Sequence, residues 1–501
     1  MTKLYKSLFF ILLFFVSKIL FSQSLIGTQS SYAGSNSLSM NPASMTTSDV
    51  YFDFSLVNLG LSFYNNYAYI KANDFSAFVF SKEHGFPTYD IDGEKLSFLT
   101  YDRNDKKPND IYESLDANVM RFMYNIDTKQ AVAFSLNARA YTSAVGIPYE
   151  IPEIITKGLD DDNFNGHYVS SGTSVSTMEW AEVVLAYSRK LYDRYHNRID
   201  VGLSVKYLLG YSAAVGNINE LDYDIFYEDS IVVNKFNADL AYSLPINYNA
   251  DFSSSSLFDN SIVRGTGVAF DLGLTYTYKK NIASNERRIL ASCMQPKLDY
   301  VWKLGISLMD VGYIRFKNNA VVNSFINDKE VLFDTYAFDH VKKFNDMMEF
   351  MSAVYYDGDS LASLVANDFS VGLPTTLRLQ FDYNIKDNFY VNTTYIQPLK
   401  LMKYSVAAIP QLMVEPRYES EYLEFSIPIT LQDYRHFMVG ASALIGFVTI
   451  GTQNISSYLG FGDVKGMDVF VSVKFNMTKG KCDDRFGACW SSGFGNKKYR
   501  R

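Results

Sequence analysis

Hydrophobic and polar side chains alternate along several stretches of this chain, as they do when a β-strand separates two environments. The alternation is clearest in residues 200–211, 268–278 and 377–385. In the second stretch, apolar Phe270 and Leu272 enclose a polar residue. A soluble barrel would bury the apolar face, whereas a membrane barrel turns it toward lipid and keeps polar groups in its lumen. Which way the sheet faces therefore decides the class of protein.

The same pattern predicts about 14 strands, an even number that suits a single-chain antiparallel barrel. The candidate strands are 51–63, 115–126, 130–142, 177–191, 199–211, 267–278, 300–309, 376–385, 389–396, 403–413, 422–431, 437–445, 446–455 and 466–476. Short turns would then lie at one end of the barrel and long segments at the other. The short link 432–436 is the exception, since it falls at the long-loop end.

Composition is compatible with a membrane barrel. Aromatic residues make up 16% of the chain and charged residues 20%. A mean hydropathy of −0.07 is what a barrel shows, because its apolar half is hidden by alternation. The net charge of −8 argues against nucleic acid as a partner. We therefore expect an all-β protein, a transmembrane antiparallel β-barrel.

The N-terminus has the features of a secretion signal. Two lysines precede an unbroken apolar run, Leu8–Val16, and the small residues Ser22 and Ser24 follow it. We predict a signal peptide over residues 1–24, cleaved after Ser22 or Ser24. An uncleaved anchor is the alternative, but Lys18 interrupts the run before it is long enough to span a bilayer.

The remaining chain divides into three predicted regions. Residues 25–50, rich in small and polar side chains, form a lead-in or plug, residues 51–477 form the barrel, and residues 478–501 form a basic periplasmic tail. The tail contains Cys482 and Cys489. In an oxidising compartment they would form a local disulfide, with free thiols or a metal site as alternatives.

The loop 317–375 shows helical spacing. Apolar residues recur at Val341, Phe344, Met347, Met348, Met351 and Val354, and Leu361, Leu364 and Val365 suggest a second, shorter helix. Two interpretations remain open. The helices pack on the barrel rim, or Phe344, Met347, Met348 and Met351 line an apolar ligand groove, since methionine adapts to varied shapes.

Charged residues fall on the polar faces of the predicted strands. Six of them would point into the lumen: Arg139, Lys206, Asp271, Arg378, Asp382 and Lys474. Because both signs occur, the interior is either filled by ion pairs or lined as a charged pore. We predict no catalytic, cofactor-binding or metal site.

One stretch approaches a calcium loop. Asp161, Asn163, Asn165 and Gly166 match its first half, but Gly172 stands where the bidentate glutamate belongs. A turn-rich external loop is the alternative that we prefer.

The residues Tyr32–Ala43, which end in Asn41, Pro42 and Ala43, stand just before the first strand. With the phrases Val205–Leu208, Phe270–Gly273 and Leu304–Gly312, this lead-in resembles the FadL-like outer-membrane proteins, in particular uncharacterised members from Bacteroidota. The resemblance implies a 14-stranded barrel whose N-terminal segment, with Asn41, Pro42 and Ala43, gates the lumen. The family includes fatty-acid channels, aromatic-hydrocarbon channels and PorV-like proteins of secretion systems.

The resemblance implies a passive channel or transporter for a small apolar compound, surrounded by the lipid of a bacterial outer membrane. The alternative is a PorV-like barrel that transports nothing and serves as a subunit or anchor for a periplasmic or secretion-complex protein. The basic tail of the chain and a filled lumen would be the features that favour this alternative. Neither function is enzymatic, and no cofactor is implied.

Overall fold

The computed structural model describes residues 27–478 except 67, 72–88, 92–93, 97–99, 102–107, 150, 152–165, 227–229, 253, 255, 260, 281–297 and 335–340. Among these residues, 14 strands form a closed antiparallel wall, because the first strand pairs with both the second and the last. In chain order they are β1 Phe52–Asn65, β2 Asn109–Asp127, β3 Gln130–Ile147, β4 Thr173–Arg194, β5 Asn197–Phe226, β6 Gly265–Lys279, β7 Tyr300–Phe316, β8 Thr376–Lys386, β9 Phe389–Pro398, β10 Gln411–Glu419, β11 Leu423–Ser426 with Ile429–Gln432, β12 His436–Val439 with Ala441–Ile445, β13 Val448–Thr452 and β14 Gly466–Met477.

The apolar faces of the wall strands point outward. On β6, Phe270 is 41% and Leu272 45% exposed, whereas Asp271 between them is 2% exposed. The same contrast separates Phe381 from Asp382 on β8. A closed ring with an apolar outer band and a polar interior is the architecture that satisfies its backbone in lipid. The predicted fold class and the direction of its faces are confirmed.

No helix among the described residues is long and apolar enough to cross a membrane.

The two ends of the barrel differ in their connections. The end that holds Tyr51 and Met477, here the terminal end, carries the short hairpins after β2, β4 and β8. Tyr195 and Asp387 adopt positive φ there, as tight hairpin turns require. The opposite end, here the loop end, carries most of the long connections and also the short hairpin after β11, as expected, whereas the long connection between β6 and β7 lies at the terminal end.

The wall is much taller on one side. Strand β5 runs for 30 residues, beyond the predicted end at residue 211, whereas β13 has five. Above Gly210, β5 leaves β6 and pairs with Ser230–Ser243 instead. Further strands extend or accompany this upper sheet: Gly166–Ser170, Ala320–Asn327, Val331–Asp334, Leu364–Ala366 and Phe369–Gly372. Two small hairpins outside it are Ala68–Tyr69 with Thr100–Tyr101 and Tyr89–Ile91 with Glu94–Leu96.

The loop 317–375 contains one of the two predicted helices. Helix α1 spans Phe344–Tyr355, and a one-turn helix α2 spans Ile455–Tyr458 near the other side of the rim. The helix predicted around Leu361, Leu364 and Val365 is wrong, since Leu364–Ala366 is a strand that pairs with Ala320–Asn327. Its apolar spacing was too short to separate a helix from a strand.

The strand predicted at 403–413 is also wrong. Strand β10 begins only at Gln411, and residues 399–410 cross the loop end of the barrel. The Val406 N–H donates to the Gly372 carbonyl at 3.2 Å, and the Ala407 N–H donates to Ser143 Oγ at 3.0 Å. Pro410 lacks the N–H that a ladder needs, which helps to explain why the strand starts after it.

Several predictions lie outside the described residues. They are the signal peptide at 1–24, the cysteine pair Cys482 and Cys489, the basic tail beyond Thr478, and the calcium-like residues Asp161, Asn163 and Asn165.

Candidate functional site

The N-terminal segment, residues 27–50, lies inside the lumen. Its two short 3-10 helices, Gly34–Ser39 and Pro42–Met45, are built mainly from small residues and are largely buried. Small side chains let the backbone approach the wall closely, so that the wall can bind backbone groups directly. We call this segment the plug.

Asn41 ties the middle of the plug to two sides of the wall. Its Nδ2 donates to the Leu274 carbonyl at 3.2 Å and to Gln380 Oε1 at 3.1 Å. Its Oδ1 accepts the Ala43 N–H at 2.9 Å and so caps the helix that starts at Pro42. One amide side chain therefore holds both the fold of the plug and its position.

Three glycines form a recess beneath Asn41 and Pro42, and we call this recess the glycine seat. Gly202 on β5 pairs directly with Gly273 on β6, and Gly305 lies on the next strand, β7. A Cβ atom at Gly202 would overlap the backbone of Pro42, and one at Gly273 would overlap Asn41 Oδ1. The seat exists because these positions carry no side chain.

Cationic side chains of the wall bind carbonyl groups of the plug. Lys474 Nζ donates to the Tyr32 carbonyl at 2.8 Å and to the Ala33 carbonyl at 3.1 Å. Arg378 donates to the Ser39 carbonyl, and Arg121 Nη1 donates to the Ser35 carbonyl at 3.2 Å. The Ser39 carbonyl is at the C-terminal end of a 3-10 helix, where carbonyls lack an intrahelical partner, and Arg378 satisfies it. The two predicted lumen residues Arg378 and Lys474 thus face the plug.

A buried ion network lies above the plug. Asp310 Oδ1 accepts from Arg139 Nη1 at 2.8 Å and from Lys206 Nζ at 2.6 Å. Lys206 also pairs with Asp271 at 2.8 Å, and Arg139 with Asp116 at 2.6 Å. The structure thus brings the predicted lumen residues Arg139, Lys206 and Asp271 together.

Asp310, at the centre of this network, has an unusual backbone conformation. It has φ 58°, at a bulge where two β7 residues face one residue of β6. Its N–H donates to Asp271 Oδ1 at 2.8 Å. The bulge turns a wall residue inward so that one carboxylate meets two cations.

A second network holds the sixth predicted residue, Asp382. Arg417 binds both of its oxygens, at 3.0 and 2.8 Å, and Tyr300 donates to it at 2.6 Å. Arg417 also donates to Glu419 at 2.9 Å, and Glu419 accepts the Ser31 N–H of the plug at 3.2 Å. Bidentate guanidinium–carboxylate pairs are among the stronger polar contacts.

Two cavities lie in the lumen among the described residues. The lower one has a volume of about 60 Å³ and is lined by the Arg139–Lys206–Asp310 network and by plug residues such as Asn36 and Ser39. The upper one, here the upper chamber, has a volume of about 100 Å³ and lies beneath the loop end. Its lining includes Arg378, whose guanidinium binds the plug below.

Beside the upper chamber the interior becomes apolar. An apolar cluster joins Trp180 and Leu208 of the wall to Phe316, Phe369 and Val406. The rings of Phe316 and Phe369 stack with centroids 5.5 Å apart. Loop residues thus cover the wall on this side with hydrophobic contacts in addition to hydrogen bonds such as that of the Ala407 N–H to Ser143 Oγ.

The methionine face of α1 packs against the upper sheet. Phe344 and Met348 are buried in a second apolar cluster, with Met347 and Met351 partly buried against it. The Phe344 ring contacts Tyr242 with centroids 4.9 Å apart. The ligand groove stays a prediction, and in this structure its side chains contact neighbouring aromatic residues.

None of the described residues forms a cluster of three or more His, Cys, Asp or Glu side chains that suits a metal ion.

The fold and interior define a transmembrane β-barrel closed by its own N-terminal segment. Residues 42–453 match a family of unknown function (DUF5723), and the chain belongs to that family. No curated protein matches it.

Several solved barrels are similar in architecture. A TodX deltaS2S3 mutant monoaromatic hydrocarbon channel has 10% identity and a TM-score of 0.41, and the match covers 91% of this chain and 100% of that one. The CymD monoaromatic hydrocarbon channel has 8% identity, a TM-score of 0.30, and coverage of 89% and 94%. The translocator domain of the autotransporter NalP from Neisseria meningitidis has 6% identity, a TM-score of 0.28, and coverage of 85% and 89%.

Proposed function

We propose that this protein is a gated outer-membrane channel that passes a small, largely apolar compound, with the plug as its gate. The observation that carries the proposal is the arrangement of the lumen. An upper chamber of about 100 Å³ lies beneath the loop end, and a non-covalently held segment separates it from the terminal end. With both chain termini in the periplasm, the upper chamber would face the exterior of the cell.

The way the plug is held supports a gating role. Its contacts with the wall include hydrogen bonds from its own Asn41 and from Arg121, Arg378 and Lys474, which water can replace at modest net cost when the plug moves. The plug also packs apolar side chains against the wall, namely Leu38, Met45 and Val50 in one cluster and Met40 in another, and its release would expose them. The hydrogen-bonded share of its contacts favours release without unfolding of the wall.

A disulfide lock tests gating directly. Thr46 Oγ1 of the plug lies 2.9 Å from Ser188 Oγ on β4, so cysteines at these two positions would bring their sulfur atoms close to bonding distance. The variant Thr46→Cys/Ser188→Cys is made in a background where Cys293, Cys482 and Cys489 are serine. In proteoliposomes, we expect oxidation to lower the entry of a small hydrophobic dye and reduction to restore it.

The matched control places a disulfide within the wall. Thr142 Oγ1 on β3 and Thr177 Oγ1 on β4 are 3.1 Å apart, and neither belongs to the plug. Oxidation of the pair Thr142→Cys/Thr177→Cys should leave dye entry unchanged. If the plug lock also has no effect, the plug is not a gate, and the filled lumen would favour the PorV-like alternative of a subunit or anchor.

A deletion provides the complementary gain of function. Removing residues 25–45 should raise dye entry into intact cells. Unchanged entry, with the unboiled protein still migrating as a folded barrel in the outer-membrane fraction, would contradict gating. The same fractionation tests the proposed location.

A further inference from the structure

The upper chamber has an unusual set of polar groups for a site that receives an apolar compound. Three glutamines from different parts of the wall converge on it: Gln411 of β10, Gln432 of β11 and Gln453, which follows β13. Asn454 lies beside them. All four are at least nine-tenths buried, so their amides have left bulk water.

These amides are incompletely satisfied within the protein. The Gln432 side chain is 7% exposed and has no hydrogen-bond partner among the described residues. Asn454 Oδ1 is buried without a partner as well. Gln411 Nε2 donates to Gln453 Oε1 at 2.5 Å. This hydrogen bond involves neither Gln411 Oε1 nor Gln453 Nε2. Buried polar groups normally find partners, so their presence around a cavity indicates a polar occupant.

Apolar side chains make up much of the remaining lining of the chamber. Ile396, Ile409 and Met438 line it together with the ring of Tyr141, which also packs against the apolar cluster. A ligand here would meet hydrophobic surface over most of its body and carboxamides at one region. Such a mixture is typical of small-molecule sites, in which a few polar groups fix orientation.

Two of the charged residues that line the chamber have partners within the protein. Asp468 accepts the Gln453 N–H at 2.6 Å and the Thr452 hydroxyl at 3.1 Å. Arg378 donates to Thr376 Oγ1 at 2.9 Å and to the plug. Glu113 also lines the chamber, is 9% exposed, and has its Oε1 buried without a hydrogen-bond partner. The free hydrogen-bonding capacity is thus carried by the neutral amides together with this one carboxyl group.

We propose that the upper chamber binds a neutral compound with an apolar body and one hydroxyl or carbonyl group, which Gln411, Gln432 and Gln453 recognise. This inference rests on the proposed function for its biological role, because it names the substrate class of the channel. A carboxamide both donates and accepts, so it matches a hydroxyl group in either direction. A pure hydrocarbon would leave the buried amides unpaired and would bind less well.

Binding is measured on the full-length protein in lipid nanodiscs, with empty nanodiscs subtracted. The probes are 2-phenylethanol and propylbenzene, which have closely similar shape and differ by a hydroxyl in place of a methyl group. We expect the alcohol to bind about tenfold more tightly. Equal or tighter binding of propylbenzene would overturn the proposal.

The variant Gln411→Leu/Gln432→Leu keeps side-chain volume and removes two amides. It should abolish the preference for the alcohol, whereas retention of that preference would contradict the assignment. Gln397→Leu is the matched control, because Gln397 accepts from the Tyr395 and Tyr434 hydroxyls at 2.8 and 2.7 Å and does not line the chamber. This control should keep the preference.

Charged probes separate the remaining interpretations. If 3-phenylpropionate or 2-phenylethylamine binds more tightly than the alcohol, the chamber recognises charge and the proposal fails. Because these are binding measurements, they do not depend on flux. A barrel that binds the alcohol but shows no effect of the plug lock would retain this site and lose the gating function.

Discussion

The lower and upper parts of the lumen are filled by different means. In the lower part, the plug is held by hydrogen bonds that involve Lys474, Arg121 and its own Asn41, next to the ion network around Asp310, and by packing of its apolar side chains against the wall. In the upper part, Phe316 and its neighbours form an apolar cluster. Hydrogen bonds to a moving segment can be exchanged for water, whereas each buried apolar contact that breaks exposes apolar surface to water. The comparison indicates that the more polar filling of the lower part is released more easily than the apolar filling of the upper part.

The largest expected effect is on the ion network. Asp310→Asn keeps a residue that tolerates positive φ but leaves Arg139 and Lys206 without their shared carboxylate. We expect it to lower the free energy of unfolding by about 3–5 kcal/mol, as for other broken buried pairs. Urea unfolding in detergent measures this.

Asp357 provides a matched control for that prediction. It also has positive φ (53°) and pairs with a lysine, Lys329, at 2.7 Å, but its side chain is 82% exposed against 4% for Asp310. Asp357→Asn should change stability by less than about 1 kcal/mol. Equal effects of the two substitutions would show that burial of the network does not matter.

Removing the Phe316 ring from the apolar cluster should destabilise the protein without loosening the plug. Phe316→Ala creates a cavity and should cost about 3 kcal/mol of stability. Because the cluster does not hold the plug, maleimide labelling of Ser37→Cys, in the background without native cysteines, should stay slow. Fast labelling would mean that the upper filling also restrains the plug.

A methyl group in the glycine seat should have the opposite effect on the plug and should loosen it. Gly273→Ala overlaps Asn41 and should raise the rate of labelling of Ser37→Cys about tenfold, equivalent to a loss of about 1.4 kcal/mol in plug binding. Gly216→Ala on β5 is the control, since its Cβ would lie 3.1 Å from the flexible Leu240 side chain. Unchanged labelling in Gly273→Ala would show that the glycine seat does not hold the plug in place.

The smallest expected effect concerns the hairpin after β11, outside the bilayer. Burial, with a contribution from the nearby Asp110 carboxylate, raises the pKa of Asp433 from 3.8 to about 6. A raised carboxyl pKa favours the folded state while the group is protonated, so this contribution is full below pH 3.8 and lost as the pH rises through 6.

The size of that effect is about 1 kcal/mol after allowance for solvent screening. Asp433→Asn should flatten the dependence of the unfolding midpoint between pH 4 and pH 7, and Asn tolerates the positive φ of 51° found there. A dependence that persists in the variant would assign it to another group.

The sequence predicted the wall well because strand alternation is a local signal. It identified the outward face of Phe270 and the inward face of Lys206, and most strand positions along the chain. It failed over most of the strand predicted at 403–413, where residues 403–410 cover the loop end instead of joining the wall, and at Leu364, where a short apolar spacing suggested a helix. In both cases tertiary contacts decide between structures that the local pattern leaves open.

The interior was predicted less completely for a different reason. Arg139 and Lys206 were identified as lumen residues, but their shared partner Asp310 was not, because a bulge breaks the alternation at that point. Arg417 lies 35 positions from Asp382, and nothing local links them. The glycine seat could have been suspected from glycines on neighbouring strand candidates, although only the register shows that Gly202 and Gly273 adjoin.

The plug is also related to the diameter of the barrel. Its hydrogen bonds run round the inner circumference, from Asp53 on β1 and Lys474 on β14 to Ser307 on β7 and Arg417 on β10. Barrel diameter grows with strand number, so a wider ring would move these groups away from the plug and a narrower ring would leave the plug too little room. The size of the plug is thus matched to a ring of 14 strands.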